Sequence, residues 1–457
     1  MAIVRYAAIL LALAFTSTNA KASVPSIQPG VTELMHAGVK KDGPGVVVLI
    51  RQGQTTIYER AEGLADVELN VPLSTDHVFR IASVTKVFTA ALVVKLAKEG
   101  KLSLDDPLKK YLPSFPGADR ISLRQLLNHT SGIADLTKNP TPGLMRTDSS
   151  TSALVDDISK RPPDFPAGSK WAYSNSGYIL LAAVIEKVTG TSWHAAIDNQ
   201  IIAPLGLRHT RYDDDTAIIR GRIPGYSTSD APPSVSRANF ISMSVPSAAG
   251  ALVSDAADLA TTIRRLAHGD VIGSEGYSQM VAPVRGVPGV STARSYGLGL
   301  YVWTIRGEQA VGHTGQIDGF ASALAYLPKQ DITIVVLAND DNFDAQTLMR
   351  RVIAVALGRP FPKVSAVAIP EATLAALKGD YETADHRAMS LVEKDGALFY
   401  ARKGHSLLPL QMTANGDLHF VPDDLGILRP MRDASGKFSL LNVPDGENVS
   451  DTFSRSK

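Results

Sequence analysis

Three short segments of this 457-residue chain carry residue types that can do acyl-transfer chemistry. The first is Ser83-Val84-Thr85-Lys86. On a helix, positions three apart share a face, so a hydroxyl and an amine are brought within reach. A serine hydroxyl is a weak nucleophile until a neighbouring base takes its proton. A lysine can do that where its surroundings lower its pKa toward neutrality. The spacing therefore proposes a serine acyl-transfer enzyme with Lys86, not a histidine, as first partner of Ser83. Alone, Ser-x-x-Lys also describes an ordinary helix start with a capping Ser and a solvated Lys. The second segment is Tyr173-Ser174-Asn175 and the third is His313-Thr314-Gly315, followed by Gln316. Each has a bland reading, as a capping loop or a strand end. Their order and context argue for reading them together.

The elements that must position these groups are legible from periodicity. Val46 to Ile50 is an apolar run, Gln52-Gly53-Gln54 is turn-like, and Thr55 to Tyr58 reads as a second strand, making a hairpin. A helix is expected from Ser83 to about Glu99, apolar nearly all round as in a buried central helix, and stopped by Gly100. Ser122 to Asn128 is a shorter helix. Asn139 to Gly168 is mostly loop with one short helix. Gly177 to Thr189 is helical and ends at Gly190. Ser254 reads as the N-cap of a helix toward His268, with Asp255 in its first turn. Strands are expected at Tyr296 to Val302, Gln309 to Val311, Ala321 to Tyr326 and Ile332 to Leu337. The last is rich in β-branched residues, as for a strand buried on both faces. Thr347 to Leu357 is a closing helix. Short strands at Ala397 to Tyr400, Leu407 to Met412, Leu418 to Phe420 and Phe438 to Leu441 suggest a separate all-β unit.

Composition narrows the function. Lys plus Arg number 46 against 45 Asp plus Glu, a balance that argues against a nucleic-acid or anionic-membrane partner. There is no Cys, which excludes cysteine catalysis, disulfides, Cys-based zinc sites and a lipidated N-terminal Cys. No H-E-x-x-H or Asp/His cluster suggests a metal, no glycine-rich loop suggests a nucleotide, and no cofactor is expected. The absence of G-x-S-x-G argues against an α/β-hydrolase. His77, His194, His209, His405 and His419 have no metal spacing and read as ordinary histidines. Asp318 reads as a turn residue. Arg5, the apolar stretch Ala7 to Phe15 and Ala20-Lys21-Ala22 read as a secretory signal, with an uncleaved anchor as the alternative. The expected organisation is a signal peptide at 1–22, a catalytic domain at 23–360, a linker at 361–370 and a small all-β domain at 371–457. The mature protein is expected to be periplasmic or secreted, with no stable membrane anchor.

Taken together, the motifs resemble the serine β-lactamase and D,D-peptidase superfamily. The resemblance is to the branch holding class C β-lactamases, D-alanyl-D-alanine carboxypeptidases of the His-Thr-Gly type, D-aminopeptidases and related esterases. It rests on Phe79-Arg80-Ile81-Ala82-Ser83-Val84-Thr85-Lys86, the loop Leu126-Leu127-Asn128-His129-Thr130-Ser131-Gly132, Tyr173-Ser174-Asn175 and His313-Thr314-Gly315. It covers roughly residues 30 to 360. It implies an α+β fold: an antiparallel sheet flanked by helices, an all-helical region, and the site between them. The 371–457 segment resembles the lipocalin-like barrels appended to some relatives.

The resemblance also implies roles. Ser83 becomes acylated, and Lys86 and Tyr173 form a coupled base pair in which either could take the proton. Asn175 suits a substrate amide. The oxyanion hole is the backbone N–H of Ser83 and that of Gln316, while Gly315 lets a substrate lie along the strand edge. His129 is expected to be structural. One departure bears on substrate: β-lactamases proper carry Lys where His313 stands. An imidazole is mostly neutral at pH 7, so a fixed cation for a substrate carboxylate is missing. The expected activity is that of a peptidase on D-amino-acid peptides, with a small-ester esterase, a weak β-lactamase or a non-turnover penicillin-binding sensor as alternatives.

Overall fold

The computed structural model describes residues 27–229, 234–287, 294–361, 365–383, 388–401, 407–420, 426–445 and 448–456. The expected signal peptide and His405 lie outside the described residues.

The first part is built on a seven-stranded antiparallel sheet. We label its strands β1 (Val46–Gln52), β2 (Thr55–Glu62), β3 (Arg294–Tyr296), β4 (Tyr301–Ile305), β5 (Glu308–Ile317), β6 (Phe320–Leu327) and β7 (Ile332–Ala338), arranged β3-β4-β5-β6-β7-β1-β2. The sheet closes the chain ends together: Val46 pairs with Ala338 and Gln52 with Ile332. Its central strands are buried on both faces, as the β-branched runs anticipated. Side chains alternate between two cores. Val47, Leu49, Val335 and Leu337 face one, while Val46, Val48, Ile50, Ile334 and Val336 face the other.

The second of those cores is covered by α1 (Gln28–Gly38) and by the C-terminal helix Ala345–Ala356. The first is covered by α2 (Thr85–Lys98), α3 (Leu123–Leu127), α4 (Thr151–Ser159), α5 (Asn175–Thr189) and α6 (Ala256–Ala267). We number the C-terminal helix α7. The expected antiparallel sheet, flanking helices and helical region are therefore all present. Every residue of α2 from Thr85 to Val94 is buried, which is why its sequence shows no polar face. Gly100 ends it with φ +70°, a conformation costly for any side chain.

Three expected boundaries move. Tyr296 to Val302 is two strands, not one, because Gly299 turns the chain at φ +71° between β3 and β4. The cap of α6 is Asp255, whose side chain accepts from the Asp258 N–H, while Ser254 ends a short strand. The strand expected at Gln309 to Val311 is ten residues long, so the whole His-Thr-Gly segment lies inside β5.

The C-terminal region is a closed all-β barrel. Eight strands from Gly379–Glu382 to Asn448–Arg455 each pair antiparallel with the next, and the last returns to the first through Tyr381 and Arg455. Leu377, Tyr381, Leu391, Leu398, Leu418 and Leu441 fill its interior. Two elements precede it: helix Glu371–Leu377, and the short strand Ala366–Val367, which pairs with Met412 and Thr413.

Candidate active site

Ser83 sits in a single 3-10 turn, Ala82–Val84, that runs directly into α2. Ala82 has φ +46°, a left-handed conformation that costs a non-glycine residue roughly 1–3 kcal/mol. The surroundings hold it there. Ile81 N–H donates to Leu252 O at 3.1 Å, and Ile81 O accepts the Ser322 hydroxyl at 2.9 Å. Strand β5 lies against this turn so closely that a Cβ on Gly315 would fall 2.4 Å from Ile81 O and 2.5 Å from Ser322 Oγ. Gly315 is thus needed for the strand to approach the nucleophile's turn, apart from any contact with substrate.

Lys86 is fully buried one turn along. Its Nζ donates to Ser83 Oγ at 3.0 Å, Asn175 Oδ1 at 2.8 Å and Ala249 O at 2.7 Å. Burial drives its pKa down to about 7, with the Asp135 carboxylate opposing. The ammonium also lies over the rings of Tyr173 and Tyr178, 4.8 and 5.3 Å from their centres, where the ring face attracts a cation. Three acceptors suit an ammonium. When one proton leaves, Asn175 and Ala249 keep the two remaining N–H groups, and the lone pair points at Ser83 Oγ.

Asn175 opens α5. Its Nδ2 donates to Thr137 Oγ1 at 2.9 Å and to Asp135 Oδ2 at 3.3 Å. Both ends of the amide expected to meet substrate are therefore engaged inside the protein. The buried Asp135 carboxylate also accepts the Thr137 N–H and hydroxyl. Asp135, Thr137 and Ala249 were not singled out from the sequence. Asp135 and Thr137 lie in a loop and Ala249 in a 3-10 turn, Ser247–Ala249, none with a motif, and only the fold brings them to Lys86.

Tyr173 presents a buried hydroxyl with no hydrogen bond formed among the described residues. Burial, then Tyr301, pushes its pKa well above the ordinary tyrosine value, with the neighbouring Ser83 hydroxyl pulling the other way. It is a phenol at neutral pH, not a phenolate. His129 braces it from behind. The two rings are 4.2 Å apart, and His129 Nδ1 accepts the Ser174 N–H at 3.2 Å. Burial, helped by Lys86 and His313, drives the His129 pKa well below the usual range, so a neutral ring supports the segment, in keeping with its expected structural role.

His313 is buried within β5. Its Nδ1 is hydrogen-bonded to Thr314 O and its Nε2 to the Tyr296 hydroxyl at 2.9 Å. A carbonyl can only accept, so Nδ1 carries a proton and donates it; with the ring neutral, Nε2 accepts from the phenol. Burial raises the Tyr296 pKa well above 10 and keeps that phenol a donor. Tyr296 was read from sequence only as the start of a strand.

Ser83, Tyr173, Asn175, His313, Thr314, Gly315 and Gln316 all line one cleft of about 450 Å³. The pairing of β4 with β5 stops at Tyr301 and Gly312, so beyond Gly312 this edge of β5 is left to the cleft. The Gln316 side chain donates to Asp341 O at 2.6 Å, which ties the end of β5 to the loop before α7. Residues Asn342 to Gln346 line the same cleft. Among the described residues, no group of three acidic or histidine side chains could hold a metal, and no helix is long and apolar enough to cross a membrane.

Comparison with known proteins identifies the fold and the family. Protein flp of Staphylococcus aureus (strain MRSA252) is 31% identical over 316 residues, which are 67% of this chain and 62% of its own length. The chain thus spans about three-fifths of that relative. A D-stereospecific amidohydrolase from Streptomyces sp., 31% identical, superposes with a TM-score of 0.64 over 72% of this chain and 98% of its own. The octameric penicillin-binding protein homologue from Pyrococcus abyssi is 22% identical, with a TM-score of 0.65 over 94% of this chain and 100% of its own. At that identity it shows the fold alone, and the likeness extends into the barrel. The fold is that of β-lactamases and transpeptidases, followed by an all-β barrel. The family model named Beta-lactamase matches residues 31–357, and the chain belongs to that family.

Proposed function

We propose that the chain is an exported serine hydrolase that works through an acyl-enzyme on Ser83 and acts on small D-amino-acid peptides or amides. The observation that carries this reading is Lys86: buried, with a pKa near 7, and 3.0 Å from Ser83 Oγ. A general base is most effective when its pKa lies near the working pH.

In this reading neutral Lys86 takes the Ser83 proton as Oγ attacks the substrate carbonyl. The oxyanion is held by the Ser83 and Gln316 backbone N–H groups, each worth on the order of 100- to 1,000-fold. The Tyr173 phenol, placed beside Ser83, passes a proton to the leaving nitrogen, and the C–N bond breaks. Tyr173 recovers its proton from the Lys86 ammonium. Water then attacks the acyl-enzyme with Lys86 again the base, releasing the acid and restoring Ser83. The D-stereospecific amidohydrolase among the similar structures supports the substrate class. The Arg5, Ala7–Phe15 and Ala20-Lys21-Ala22 pattern supports export. Ester hydrolysis is the second reading, favoured by His313 in place of a cation that would hold a substrate carboxylate.

Ser83→Ala tests the proposal. Hydrolysis of D-alanine p-nitroanilide and of p-nitrophenyl acetate is expected to fall by on the order of 10⁴-fold or more. Unchanged rates on both would overturn it.

A further inference from the structure

The walls of the cleft carry a charge pattern that the catalytic groups do not explain. No Lys or Arg among the described residues lines it. Lys86 lies beneath, its three donors directed at Ser83, Asn175 and Ala249. His313 has Nδ1 hydrogen-bonded to the Thr314 carbonyl and Nε2 to the Tyr296 hydroxyl. Both of its ring nitrogens are thus engaged inside the protein.

The first turn of α7, a twelve-residue helix, also lines the cleft. Its free N–H groups would ordinarily welcome an anion. Here the place is filled from within, because the Asp344 carboxylate accepts the Thr347 N–H at 2.8 Å. Asp344 is exposed and lines the cleft, and it forms no ion pair among the described residues. Just behind it, the Asp341 carboxylate accepts the Ser227 hydroxyl and the Gly319 N–H, again with no cation. Tyr173, with its buried hydroxyl beside Ser83, lines the same cleft and marks where substrate must sit. A cleft of about 450 Å³ has room for a dipeptide-sized substrate.

We propose that Asp344 sets the charge selectivity of this cleft: it takes amides and esters that carry no free carboxylate and rejects those that do. The proposal rests on the serine-hydrolase reading above and narrows its substrate class. Two carboxylates facing each other across a partly wet wall are worth roughly tenfold in affinity.

The test is competition for Ser83. A fluorophosphonate probe labels the full-length protein while N-acetyl-D-alanyl-D-alanine or its C-terminal amide competes. The amide is expected to protect about tenfold better than the acid. Asp344→Asn and Asp344→Ser both keep a capping side chain and remove the charge. Each should shrink the ratio to within about threefold, and each should still be labelled, which reports a folded site. Equal protection by acid and amide in the native protein, or a ratio unchanged in both variants, overturns the proposal while leaving Ser83 chemistry intact. No labelling of Ser83 at all would sink the hydrolase reading, and this inference with it.

Discussion

Residues 27–361 and the barrel beyond them treat buried polar groups differently. The first region encloses Lys86, His129, Asp135, Asp213, His313 and Asn339. Among the described residues, every buried side-chain polar atom left without a hydrogen bond belongs to it, including His129 Nε2, Trp171 Nε1, Tyr173 Oη and Ser174 Oγ around the cleft. In the barrel, the buried Asp417 receives two hydrogen bonds of 2.8 Å from Arg429, the buried Thr383 and His419 also have partners, and apolar side chains fill the core around them. An eight-stranded barrel is just wide enough for its own side chains to fill. Leaving a buried polar atom unpaired costs about 1–3 kcal/mol. Among the described residues, the first region carries that cost, in part around the cleft, and the barrel does not.

Lys86→Met presses hardest on this contrast. It removes the base, so amide hydrolysis should fall by about 10²- to 10⁴-fold. It should also stabilise the protein. With its folded pKa near 7 and its unfolded value near 10.5, Lys86 penalises folding at and below pH 7, and the penalty fades as pH rises toward 10.5. At pH 7 the variant is expected to melt about 2–4 °C higher, the shift that roughly 1 kcal/mol produces. In the native enzyme kcat/KM should rise with pH around 7, as Lys86 loses its proton. A pH profile flat from 6 to 8 would remove Lys86 from the base role.

Gly315→Ala is the next largest. Its Cβ would strike Ile81 O and Ser322 Oγ, displacing the turn that carries Ser83. Activity should drop on the order of 100-fold, with about 1–3 kcal/mol of stability lost to overpacking. Full activity would show that β5 can retreat without moving Ser83.

Leu398→Ala, fully buried in the barrel, has the smallest expected effect on catalysis. It should cost about 2–5 kcal/mol of barrel stability yet leave kcat/KM at 25 °C within twofold. If activity instead fell in step with barrel unfolding, followed by calorimetry, the two regions would share more than a chain.

What the sequence disclosed follows the same division. Ser83, Lys86, Tyr173 and His313 were legible because their chemistry needs those residue types at those spacings. Strands β1, β6 and β7 were legible because burial on both faces leaves unbroken apolar runs. Asp135 and Tyr296 were not. Neither has a local signature, and each acquires its role only when a loop or a strand end is carried to Lys86 or His313. The turn at Gly299 was hidden inside an apolar stretch that read as one strand. In the barrel, strands such as Gly379–Glu382 and Ile427–Arg432 escaped notice because their exposed faces dilute the pattern.

Helix α7 has a mechanical consequence. Its twelve residues make a rod about 18 Å long. The front end carries Asp344 and the cleft wall. The rear end is bolted to the sheet, where Arg306 and Arg359 exchange hydrogen bonds of 2.9 and 3.0 Å. Ala366 then enters the barrel's hydrogen bonding. A tug on the barrel is therefore anchored at the rear bolt before it can travel along the rod to the substrate's wall, and the turn bearing Ser83, packed on other elements, lies off that line of force.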